Sequence, residues 1–167
     1  SSLVLKERGV CYTMDGKDAK KLLPARPADS HKGTFGKLLL IAGSGGMAGA
    51  AFLSALAAYR VGVGLVQIYT AKENRSVLQQ LIPEAIISAY EGFDEKELLK
   101  KLAWADTVCI GAGIGISEIS GHILNIVLKE GKVPCMIDAD GLNLLAGNPE
   151  LLNRLSGGRF VLTPHMK

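Results

Sequence analysis

From Lys37 onward, short apolar runs alternate with longer stretches of helical character, and that rhythm predicts the fold. Residues 37–42, 64–70, 85–89, 107–110, 134–138 and 159–163 are strand-length runs, several of them rich in Val, Ile or Leu. Helices are expected between them. Residues 48–60 are Ala-rich and apolar on every side, which predicts a helix packed tightly on the sheet. Residues 94–105 are amphipathic, with Asp94 placed to cap the helix and Glu97 three residues on. Residues 117–130 stop at Gly131, a residue suited to the position just past a helix end. Strands that are apolar on both faces and separated by helices imply a mainly parallel sheet covered on both sides, a three-layer α/β/α architecture.

Residues 1–36 break the rhythm. They are polar, with Gly16 and the close pair Pro24 and Pro27, and read as an arm or linker ahead of a domain over residues 37–167. A chain of 167 residues suffices for one core. Its longest apolar run, around residues 38–42, is far short of the ~20 residues that a bilayer span needs. Residues 1–10 carry Lys6, Glu7 and Arg8 and lack the apolar stretch of a secretory signal, so a cytoplasmic location and no membrane partner are expected. The cysteines Cys11, Cys109 and Cys135 are widely spaced, and the last two sit in strand runs as small hydrophobes; neither a disulfide framework nor a metal site is expected. The net charge of +3 is scattered among Asp and Glu rather than gathered, and aromatic residues are only 5% of the chain, so no nucleic-acid partner is indicated.

In a parallel sheet, ligands bind at the carboxyl ends of the strands. Two loops at such ends are rich in glycine. The first, Gly43-Ser44-Gly45-Gly46-Met47-Ala48-Gly49-Ala50, lets the backbone approach a ligand and backs it with free N–H groups for an anion, which makes Gly43, Ser44 and Gly45 nucleotide-binding candidates. Gly43, Gly45 and Ala48 satisfy the loose G-x-G-x-x-A form, but the next strand ends in Thr70-Ala71-Lys72 with no acid at its tip for a ribose, against an ordinary dinucleotide fold. The alternative is a glycine loop that merely fits helix to strand. The second loop, Gly111-Ala112-Gly113-Ile114-Gly115, repeats the logic ahead of Ser117, a candidate helix cap.

Asp138-Ala139-Asp140-Gly141-Leu142-Asn143 puts two carboxylates and an amide at the end of another strand. They are suited to a metal, a sugar hydroxyl or, structurally, to capping: Asp140 as an N-cap with Asn143 in the first turn. His165, after Thr163-Pro164, is either a substrate contact or a solvated histidine. Lys32, in His31-Lys32-Gly33, is a candidate phosphate contact or a surface charge on a turn.

The order and wording of these segments resemble one family. His31-Lys32-Gly33-Thr34-Phe35-Gly36-Lys37, Ile41-Ala42-Gly43-Ser44, Met47-Ala48-Gly49-Ala50-Ala51, Arg60-Val61-Gly62-Val63-Gly64-Leu65-Val66, Gly111 to Gly115, Asp138 to Asn143 and Leu162-Thr163-Pro164-His165 look like the NAD(P)H-hydrate dehydratases, over about residues 22 to 165. The resemblance implies a ribokinase-like fold and the ADP- or ATP-dependent dehydration of (6S)-NAD(P)H hydrate to NAD(P)H, by phosphorylation of a hydroxyl and elimination, with Mg2+ accompanying the nucleotide. It implies that Gly49, Ala50, Gly113 and His165 hold the hydrate (NADHX or NADPHX) and that Asp138, Asp140 and Asn143 line the same cleft. It further implies a homo-oligomer and, for the parent protein, a fused NAD(P)H-hydrate epimerase domain.

The family continues past Thr-Pro-His with a nucleotide loop and a Gly-Thr-Gly-Asp helix start that carries the catalytic base, whereas this sequence ends His165-Met166-Lys167. The expectation is a C-terminally truncated dehydratase that binds nucleotide weakly and does not turn over hydrate alone. The alternatives are a small-molecule kinase of the ribokinase superfamily and a non-catalytic nucleotide-binding module.

Overall fold

The computed structural model describes residues 15–22, 27–155 and 159–165; Cys11 and Pro24 lie outside them. The chain forms two compact units, Ser1–Ser30 and His31–Lys167. In the first, helix α1 (Gly16–Leu22) occupies part of what composition suggests is an arm. The Asp15 carboxylate accepts from the backbone N–H groups of Lys17 and Asp18 at 2.8 and 2.9 Å, satisfying donors that a helix start leaves without partners.

The second unit opens with a 3-10 turn, Lys32–Phe35, and continues as β1 (Lys37–Ile41), α2 (Ala48–Arg60), β2 (Leu65–Ala71), α3 (Arg75–Leu81), β3 (Ile86–Tyr90), α4 (Glu95–Trp104), β4 (Thr107–Ile110), α5 (Glu118–Glu130), β5 (Cys135–Ile137), α6 (Asp140–Gly147) and β6 (Phe160–Leu162). The strands form one sheet in the order β3-β2-β1-β4-β5-β6, with every neighbouring pair parallel. Alternation along β1 assigns its faces. Leu38, Leu40 and Ala42 pack with Ala51 and Ala55 of α2 and Leu78 of α3, whereas Leu39 and Ile41 pack with Leu98 of α4 and Ile123 and Leu124 of α5. The expected three-layer α/β/α arrangement is therefore present.

Strand order explains where the layers change sides. The chain runs outward from β1 to β2 and β3, then returns to place β4 on the other flank of β1. Right-handed crossovers in opposite directions put α2 and α3 on one face and α4 and α5 on the other. The reversal falls between β1 and β4, which pair side by side from Leu38 with Thr107 to Ile41 with Ile110.

Local chemistry fixes the helix ends. The Asp94 carboxylate accepts from Glu97 N at 3.0 Å and Ser117 caps α5, both as the sequence suggests; Ser120 adds the reciprocal half of a capping box. Gly131 differs from expectation. Its backbone is extended (φ −67°, ψ 128°) rather than left-handed, and the Arg159 guanidinium caps α5 instead by donating to the carbonyls of Gly131 and Leu128.

Helix α2 is also less enclosed than its composition predicts. Only Ala51 and Ala55 are buried, and Leu53 is 64% exposed. On the same side of the sheet no helix covers β5 and β6 among the described residues. Cys109, Met136 and Val161 are cross-strand neighbours there, and Met136 and Val161 are exposed. No described helix is long and apolar enough to cross a membrane.

Candidate functional site

Strand β1 runs into the first glycine loop and β4 into the second, so the pairing of these strands sets the loops side by side at the carboxyl rim. This is the reversal point, where open α/β sheets leave a crevice for ligands. Gly43 N donates to Ala112 O at 3.0 Å and Ser44 N to Gly113 O at 2.6 Å, joining one loop to the other. Gly113 also abuts α2: a Cβ there would stand 2.9 Å from that of Ala50. The two segments therefore converge, together with Gly49 and Ala50 in the first turn of α2.

The bonding divides their tasks. The amides of Gly43 and Ser44 are spent on the second loop and shape the site rather than face a ligand. Met47, the N-cap of α2, makes no side-chain capping bond. The N–H groups of Gly45, Gly46, Ala48 and Gly49 consequently have no protein acceptor among the described residues, an arrangement suited to an anion.

The acidic segment connects to the same rim. Asp140 Oδ2 accepts from Gly115 N at 2.9 Å, and Asn143 Nδ2 reaches Asp140 Oδ1 at 3.5 Å. Asp140 is the first residue of α6 and not its N-cap; that position falls to Ala139, held at φ 45°, ψ −118°. Asp138 Oδ1 accepts from Thr163 Oγ1 at 2.7 Å, tying the end of β5 to the segment after β6. Gly111 lets these pieces close, because a Cβ there would fall 1.8 Å from the Asp138 carbonyl oxygen. Beneath them Cys109 is buried, and burial, with a smaller contribution from the charge of Asp138, raises its thiol pKa to about 11; it is a small hydrophobe, as expected.

His165 is exposed on this rim, two residues past Thr163, but β4 and β5 stand between its strand and β1. Lys32 is not brought here. Its carbonyl lies where a Cβ of Gly64, just before β2, would fall, and Gly64 N and Leu65 N donate to Phe35 and Gly36, which fixes the turn at the amino rim. Lys32 therefore stands at the rim opposite the glycine loops.

Three residues of this region escape sequence reasoning. Thr70 and Asn74, both buried, hydrogen-bond the back of the first loop. Glu73 supplies an acid two residues past the end of β2, where the sequence reads as lacking one, its carboxylate 3.8 Å from where a Cβ of Gly45 would be. The signal for the first two is a polar Thr at the penultimate position of a hydrophobic strand and an Asn three residues past its end.

The sequence profile of the NAD(P)H-hydrate dehydratase family matches residues 38–167. The chain is 39% identical over 152 residues to a bifunctional NAD(P)H-hydrate repair enzyme of Coxiella burnetii, an alignment covering 91% of this chain and 30% of that protein. Among solved structures it resembles a ribokinase-like superfamily protein of Enterococcus faecalis (TM-score 0.79, 26% identity, 95% of this chain and 57% of that one). It also resembles the ADP/ATP-dependent NAD(P)H-hydrate dehydratase of Bacillus subtilis co-crystallised with ATP/Mg2+ (TM-score 0.63, 32% identity, 75% of this chain and 45% of that one). The chain thus spans less than a third of the bifunctional relative and under half of the Bacillus enzyme.

Proposed function

Because the chain belongs to the NAD(P)H-hydrate dehydratase family, we propose that its paired glycine loops hold (6S)-NAD(P)H hydrate for dehydration to NAD(P)H, driven by cleavage of ADP or ATP. The observation that carries this reading is the bonding of one loop to the other through Gly43 and Ser44, which builds a single cradle from two strand ends.

Hydroxide is a poor leaving group. Transfer of a phosphoryl group forms an O–P bond at the hydrate's hydroxyl as the nucleotide's terminal P–O bond breaks; phosphate then departs with the C–O electron pair while the adjacent ring carbon loses a proton. Such transfer needs positioning and charge stabilisation above all. In this reading the free amides of Gly45, Gly46, Ala48 and Gly49 hold phosphate oxygens, Gly113 and Ala50 form the wall beside them, and His165 contacts the hydrate from the far side of the rim. Asp138, Asp140 and Asn143 hold the second loop and the β6 segment in place.

Among the described residues no three His, Cys, Asp or Glu side chains converge on a metal-sized space, and the carboxylates of Asp138 and Asp140 already accept protein donors. An Mg2+ carried in on the nucleotide phosphates would meet single carboxylates here, Glu73 beside the first loop and Asp138 and Asp140 beside the second, rather than a closed cage of protein ligands. A homo-oligomer, a cytoplasmic setting and an epimerase domain on the same polypeptide, in keeping with the bifunctional relative, complete the proposal.

Calorimetry with (6S)-NADPH hydrate tests it. Saturable binding of the hydrate is expected, and Gly113→Val, which drives a side chain against Ala50, should abolish it. Absence of saturable binding to the unaltered protein defeats the reading.

A further inference from the structure

Four polar or charged residues are buried among those described: Thr70, Asn74, Lys101 and Ser120. Lys101 pairs with Glu97, and Ser120 belongs to the capping box of α5. Thr70 and Asn74 serve neither kind of purpose, and they sit directly behind the first glycine loop. Thr70 Oγ1 donates to Gly43 O at 2.8 Å, and Asn74 Nδ2 lies 3.0 Å from Gly43 O, 2.9 Å from Ser44 O and 2.9 Å from Thr70 Oγ1. Ala71 N adds a third donor to Gly43 O at 3.1 Å. The amide orientation is dictated by its surroundings, since only the nitrogen of Asn74 can face two carbonyls.

The loop is therefore gripped from two sides. Its carbonyls at 43 and 44 are held by the Thr70 and Asn74 pair, and its amides at 43 and 44 by the second loop. Gly43 sits at φ 79°, a turn that sends its carbonyl toward the pair, and a Cβ there would lie 3.0 Å from both Thr70 Oγ1 and Asn74 Nδ2. Burying a hydroxyl and an amide is costly unless their bonds are made, and here those bonds converge on the two residues that lead into the free amides of Gly45 to Gly49.

We propose that Thr70 and Asn74 are positioning residues that set the first glycine loop and thereby aim its free amides at a phosphate of the bound dinucleotide. The identity of that ligand rests on the function proposed above, whereas the clamp itself does not.

Two measurements on the whole chain separate the two. Hydrogen exchange reads the Gly43 and Ser44 amides; calorimetry with NADPH, at a temperature where every variant is folded, reads the ligand. Thr70→Val and Asn74→Ala should each speed exchange of those two amides and weaken NADPH about tenfold, the size expected for loss of one such bond. Thr70→Ser, which keeps the hydroxyl, should stay close to the unaltered protein. Val127→Ala, in the core on the opposite face, should lower the melting temperature without moving the NADPH affinity. Unchanged exchange at Gly43 and Ser44 in Asn74→Ala overturns the clamp, as does a loss of affinity that Val127→Ala reproduces. Faster exchange in the variants with no NADPH binding by the unaltered protein supports the clamp and overturns the dinucleotide reading instead.

Discussion

At the scale of single residues, the rim is decided by backbone positions that tolerate little. Gly111 brings the second loop against the end of β5, where a Cβ would collide with the Asp138 carbonyl oxygen at 1.8 Å. Gly111→Ala should cost about 3 kcal/mol, from overpacking and from strain at a left-handed backbone, and lower the melting temperature by roughly 6–12 °C. Ala139 presents the reverse case. It is the one described non-glycine residue at positive φ, in a region natural to glycine, so Ala139→Gly should stabilise the fold by about 1 kcal/mol after allowance for the freer unfolded chain. A melt in which Ala139→Gly is less stable than the unaltered protein refutes that account. These two residues mark a boundary of sequence reading. A glycine at a strand end advertises close approach, but nothing in the letters of Asp-Ala-Asp announces that the alanine between the acids is the strained one.

At the scale of elements, what composition makes legible is what local chemistry controls. Helices α4 and α5 were foreseeable because Asp94 and Ser117 bond their own first turns, and β1 because an unbroken apolar run must be covered on both faces. Helix α3 is seven residues long and has no side-chain N-cap, so it leaves no such mark, whereas α6 is announced by Asp140, which proves to be its first residue and not its cap. The far end of α5 depends on a residue from elsewhere in the chain: Arg159 reaches the carbonyl of Leu128 in its last turn and that of Gly131 just past it, and stacks on Phe160, 4.3 Å from the ring centroid. Arg159→Ala should destabilise by about 1–2 kcal/mol. Arg159→Lys should recover less than half of that, because one ammonium cannot reproduce a planar fork. Full recovery by lysine, read by thermal melting, means that charge alone does the capping. The clamp of Thr70 and Asn74 stayed hidden for the same reason as Arg159, since its bonds join segments far apart in sequence.

At the scale of the whole molecule, burial gives stability a definite dependence on alkali. The thiol pKa of Cys109 is raised to about 11 and that of Cys135 to about 12, mainly by burial, and the hydroxyls of Tyr59 and Tyr90 are raised in the same direction. The folded state holds these protons to higher pH than the unfolded chain does. Their contribution is therefore complete below about pH 9 and is lost as pH climbs through the folded values. The melting temperature should be nearly level from about pH 7 to pH 8.5 and fall from about pH 9 to pH 11; a rise over the upper interval contradicts the assignment. The chain order of the sheet has a further, temporal consequence. Because Gly43 finds its partner Ala112 only after β2, β3 and β4 have been laid down and β4 has docked on β1, closing that long loop is a late event. A chain whose β4 has not yet docked on β1 lacks this cradle, so affinity at the rim reports when that one long-range step is complete.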